Sequence, residues 1–129
     1  MRRIARGEFP ADLRAFVERC FTSAVQLEVL LLMHERPGGA WTAASVGREL
    51  RVDPEQAGAA LGHLARSGLL AREREAFHLR PRRPRDARLV SSLAELYPTY
   101  RVAIVSIIFS KPSGPIRDFS DAFRLRDED

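Results

Sequence analysis

The 129-residue chain is 45% hydrophobic and 29% charged with a net charge of +4, the balance of one globular domain, which excludes a disordered, collagen-like or disulfide-stapled chain. Its one cysteine, Cys20, cannot form an internal disulfide, and its longest apolar run, from Val102 to Phe109, is far too short to span a membrane. The expectation is a cytoplasmic protein with neither a secretory signal nor a membrane segment.

All basic residues except Lys111 are arginine. Guanidinium groups bind phosphate and guanine in bidentate fashion, so this composition is compatible with nucleic acid, although Ala and Arg also accompany GC-rich coding. In chain order, the first eleven residues, with Arg2, Arg3, Arg6, Gly7 and Pro10, are expected to form an arm. Asp12–Cys20 places Leu13, Phe16, Val17 and Cys20 at helical spacing, which predicts a short amphipathic helix. Ser23-Ala-Val-Gln26 has the form of a capping box, marking either a new helix or a kink. From Ala24 to about Glu35 the chain is apolar on almost every side, which predicts a helix buried around most of its circumference, ended by Pro37-Gly38-Gly39.

Thr42 is placed to cap a third helix running to Leu50, with Trp41 and Val46 in staple positions. After a turn at Arg51-Val52, Asp53-Pro54-Glu55-Gln56 is a complete helix start: Asp at N-cap, Pro at N1 and Gln at N3. That helix runs to Ser67 and stops at Gly68, a C′ glycine. Leu69–Arg74 and Phe77–Leu79 predict a hairpin with its turn at Glu75-Ala76. Pro81-Arg-Arg-Pro84 reads as a linker, and Arg88–Ser110 as a long helix that Pro98 kinks or splits. A tail follows, carrying Phe119, Phe123, Leu125 and an acidic end, Asp127-Glu128-Asp129.

The stretch Thr42–Leu50, Arg51-Val52, Asp53–Gln56, Leu61–Leu70 resembles bacterial winged-helix regulators of the MarR and PadR sort. The resemblance implies a mainly α fold with a small β-hairpin wing: a winged helix-turn-helix with flanking N- and C-terminal helices. The expected organisation is an arm and short helix over 1–22, the module over 23–80, and a linker, long helix and tail over 81–129. The family's flanking helices commonly build a homodimer. This makes the stripe Leu89, Leu93, Leu96, Tyr100, Ile104 and Ile107 or Ile108 a candidate dimer interface, or else a face packed on the first helices.

The implied function is a dimeric transcriptional regulator that binds double-stranded DNA through its second motif helix and its wing. On that helix the outward candidates are Glu55, Gln56, Ala59, His63 and Arg66, with Gln56 suited to adenine and Glu55 to cytosine. Arg66 is its one basic side chain apart from the histidine, and it stands near the end. Arg48 and Arg51 flank the turn as phosphate-contact candidates, joined by Arg72, Arg74, Arg80, Arg82 and Arg83 in the wing and linker. From Arg72 to Arg88 seven arginines oppose three acids, a local balance of +4 that is also compatible with a solvated face. Gly58-x-x-x-Gly62 supports an alternative, a winged-helix protein-interaction module that reads no DNA sequence, since small residues permit close approach of another backbone. His34, His63 and His78 are scattered, and no phosphate loop, nucleophile elbow or acid pair occurs, so neither an enzyme, nor a metal site, nor a cofactor is expected. Trp41, Phe16, Phe21, Tyr97 and Tyr100 are candidates for the core or for an effector pocket.

Overall fold

The structure, a computed structural model of the chain, describes residues 9–110. The basic arm residues Arg2, Arg3 and Arg6 and the tail from Lys111 onward lie outside the described residues. Helix boundaries follow the caps. Helix α1 (Ala11–Cys20) ends at an extended Phe21, and α2 (Ala24–Glu35) begins anew at Ser23, whose Oγ accepts from the Gln26 amide at 3.2 Å. Gln26 reaches back to Thr22, its Oε1 accepting from the Thr22 amide at 2.7 Å, so the two helices are separate rather than one kinked rod. Helix α3 (Ala43–Leu50) starts on a reciprocal capping box between Thr42 and Ser45. Helix α4 (Pro54–Arg66) starts on Asp53, whose carboxylate accepts from the Glu55 amide, with Pro54 at N1.

After α4 the chain reverses at Gly68 (φ +85), a conformation that suits glycine. Strands β1 (Leu70–Glu73) and β2 (Ala76–Leu79) pair antiparallel with Glu73 opposite Ala76, so the turn lies at Arg74-Glu75, one residue earlier than expected. Arg74 itself adopts a φ of 61° to close it. Trp41 adds a single antiparallel bridge on the other edge of β2, exchanging both backbone hydrogen bonds with Phe77 at 2.9 and 2.7 Å. The chain before α3 is therefore tied to the hairpin, and Trp41 is buried at that junction.

Helix α5 (Pro84–Ser110) begins four residues before the expected start because Pro84 acts as a helix-starting N1 residue and not as a breaker. Pro98 lacks the amide that would bond Ala94, and the helix kinks where Tyr100 leaves helical geometry (φ −111°, ψ 27°). The result is a mainly helical fold carrying a small two-stranded hairpin.

The core gathers around α2, which packs on α3, α4, α5 and β2. Phe16 and Phe21 meet edge to face at 6.0 Å beneath it, so both belong to the core and not to a ligand pocket. Helix α5 lies on α1 and α2. Leu89, Leu93, Ile104, Ile107 and Ile108 are buried within the chain, and Leu96 and Tyr100 are half-buried. The stripe proposed above as a dimer interface thus packs inward, because α1 and α2 offer it an apolar surface in the same chain. Asp86, 2% exposed, fastens the start of α5 to α1 through Arg19 at 3.1 Å, and Arg83 approaches its other oxygen at 3.5 Å. These contacts partner a carboxylate that the fold takes out of water. Among the described residues no helix is long and apolar enough to cross a membrane.

Candidate nucleic-acid interface

Helices α3 and α4 meet across a turn that the sequence makes unusually tight. A Cβ on Gly47 would stand 2.9 Å from the Val52 carbonyl oxygen and 3.4 Å from Pro54, so only glycine lets the turn close. Val52 donates to the Gly47 carbonyl at 3.0 Å, and Arg51 takes a left-handed φ of 59° as the C-cap of α3. Further along, a Cβ on Gly58 would touch Ala43 Cβ at 3.3 Å, so this glycine sets the close α3–α4 approach. The small-residue face expected to receive a partner is, at Gly58, already occupied by α3. At Gly62 it lies beneath Arg66, whose Nη1 would stand 3.3 Å from an added Cβ.

What α4 presents outward is Glu55, Gln56, Ala59 and Arg66, all exposed. His63 turns the other way and donates from Nε2 to the Cys20 carbonyl at 2.7 Å, capping the end of α1. Of the α4 candidates, His63 thus has a structural task that sequence spacing does not show. With one acid and one base on α4 itself, its outer face is close to neutral.

The positive charge lies beside α4, on the hairpin and the chain that leaves it. Arg72 stacks its guanidinium 5.4 Å from the Phe77 ring centroid and donates from Nε to the Arg74 carbonyl at 2.9 Å, which stiffens the hairpin tip. Arg74 stands exposed at that tip. Two backbone bonds then fold the following segment against the end of α4: Arg80 N to Leu69 O at 3.0 Å and Arg82 N to Gly68 O at 2.9 Å. They place Arg80 and Arg82, both exposed, next to the base of the hairpin. Arg83 is drawn toward Asp86, which makes it less available than its neighbours. Arg85 and Arg88 continue the exposed basic run on the first turns of α5, and Arg48 and Arg51 stand exposed at the α3–α4 turn. None of Arg48, Arg51, Arg74, Arg80, Arg82, Arg85 and Arg88 has an ion pair among the described residues.

These exposed guanidinium groups are free to meet an anionic ligand. His34, His63 and His78 are apart, with His78 3.6 Å from Glu73 across the hairpin, and no group of three or more metal-ligating side chains converges among the described residues. Comparison with protein-family models, with curated proteins and with solved structures found no match in any of the three.

Proposed function

We propose that the chain is a winged helix-turn-helix protein of the cytoplasm that binds double-stranded DNA as a homodimer and regulates transcription. In this reading α3 and α4 are the motif helices, β1 and β2 the wing, and Trp41 the short third strand that anchors the wing. The observation that carries it is the run of exposed arginines: Arg74 on the hairpin, Arg80 and Arg82 held by two backbone bonds to Leu69 and Gly68 at the end of α4, and Arg85 and Arg88 on the first turns of α5. Phosphate contacts would supply most of the affinity, with Gln56 and Glu55 providing limited base discrimination. The dimer contact has to lie outside the inward-packed stripe, and α5 offers Phe109, 66% exposed, as an apolar anchor. A fluorescence-anisotropy titration with mixed-sequence duplex at low salt should show binding that weakens steeply as salt rises. Absence of any binding there rejects the reading, and a monomer by sedimentation at micromolar concentration rejects its dimeric part.

A second reading, a winged-helix module that binds protein and not DNA, is favoured by the nearly neutral outer face of α4. Ala59→Arg separates the two. On a DNA-binding face it adds a phosphate contact and tightens duplex binding about tenfold at low salt. On a protein-binding face it obstructs the partner and leaves DNA unaffected.

A further inference from the structure

Helices α2 and α5 run antiparallel and leave a trough between them. One half, of about 350 Å³, has an apolar floor of Leu31, Ala94, Tyr97 and Pro98, and the other, of about 330 Å³, is lined by Ala24, Val102 and Val105. Tyr97 borders both halves, so they form one continuous feature, and each half is large enough for a small molecule. Val102 is 79% exposed, and nothing among the described residues covers it. Charge is unevenly placed along the trough. At one end Glu35 of α2 and Glu95 of α5 line the same half, beside His34. At the other end Glu28 and Arg101 line the second half, one acid against one base. None of Glu28, Glu35, Glu95 and Arg101 has an ion pair among the described residues. The trough is therefore acidic at one end, apolar in its middle and balanced at the other end.

We propose that this trough binds an amphipathic monocation, an alkyl- or arylammonium compound with its head group at the Glu35 and Glu95 end and its apolar tail running past Tyr97 toward Val102. Two carboxylates on facing helices attract a cation and repel the head group of an anionic amphiphile. Tyr97 adds an aromatic ring of the kind that attracts ammonium groups. The tail covers apolar surface that otherwise meets water, Val102 above all. A second cationic head at the far end would meet Arg101, so the ligand carries its charge at one end only. Charge also speaks against a second copy of the chain as occupant. Glu28, Glu35 and Glu95 outnumber Arg101 on this face, so two such faces repel each other. The trough is separate from the arginine-rich surface beside α4, and the proposal does not rest on DNA binding.

Calorimetric titration of the full chain with decyltrimethylammonium, kept well below its micellar range, tests the site. One molecule should bind per chain with a Kd of about 100 μM, the affinity an amphiphile of this size can reach. Decanoate, with the same tail length and the opposite charge, should bind about tenfold or more weakly. Glu35→Gln with Glu95→Gln should weaken ammonium binding about tenfold, as the loss of two exposed ion pairs does, with an unchanged circular dichroism spectrum. Val102→Ser, a change at a side chain outside the core, should weaken it about threefold through the tail alone. The ten-carbon compound with an ammonium at each end should bind no better than the monocation, and Arg101→Gln should tighten it about threefold. Absence of saturable ammonium binding overturns the proposal. Equal binding of decanoate, or full affinity in the double glutamine variant, does the same. Ammonium binding that fades as protein concentration rises would assign the trough to a second copy, which also overturns it.

Discussion

Helix α4 and the hairpin beside it divide two properties that a DNA-binding surface needs together. Helix α4 is precisely positioned: Asp53 caps it, Gly47 and Gly58 admit close packing on α3, and Ala57, Ala60, Leu61 and Leu64 bury its inner side. Its outer side carries little charge. The hairpin has a small buried footprint, chiefly Leu70 and Phe77, yet it and the segment after it carry the exposed Arg72, Arg74, Arg80, Arg82 and Arg83. Under the proposed function, placement on one element and charge on its neighbour would let the surface hold a backbone first and read bases second.

Three variants sharpen that contrast. Leu61→Ala removes a fully buried side chain from the inner side of α4 and should destabilise the fold by about 3 kcal/mol in a urea titration. DNA affinity measured well below the midpoint should fall only as the folded fraction falls. Arg72→Ala, Arg74→Ala and Arg80→Ala together should weaken duplex binding about 30-fold near physiological salt, about 2 kcal/mol. The same triple variant should lose under about 1 kcal/mol of stability, since these side chains are exposed and only Arg72 packs, on Phe77. Arg74→Gly is the smallest and most selective change. Glycine accepts a φ of 61° without strain, so stability should hold or rise by about 0.5 kcal/mol. Loss of one guanidinium should still reduce the salt slope of DNA binding by about 1. An unchanged slope would remove the hairpin tip from the interface.

Much of this was legible because helix starts are local. Ser23, Thr42 and Asp53 announce the helices they cap, and Gly68 announces the reversal into β1. The misplaced hairpin turn has an equally local cause. No Gly or Asn marks it, so Arg74 takes the positive φ without a signature. Pro84 carried a helix-start signal obscured by the adjoining Pro81 and arginines. Long-range pairings left no trace in spacing: the Trp41–Phe77 bridge spans the whole α3–α4 unit, and His63 serves the end of α1, 43 residues away. Asp86, within a charged run that reads as solvated, is buried because Arg19 approaches from a distant helix. The α5 stripe was recognised as apolar, but only its packing shows that it faces α1 and α2.

Salt dependence measures the central claim most directly. Duplex affinity of the full chain and of the Arg72, Arg74, Arg80 triple alanine variant should be followed from about 50 to about 200 mM salt, where each phosphate contact contributes a slope of about −0.9. The division of labour between α4 and the hairpin predicts a slope shallower by nearly 3 in the variant. Parallel lines for the two proteins, or no duplex binding by the unaltered chain, would contradict it.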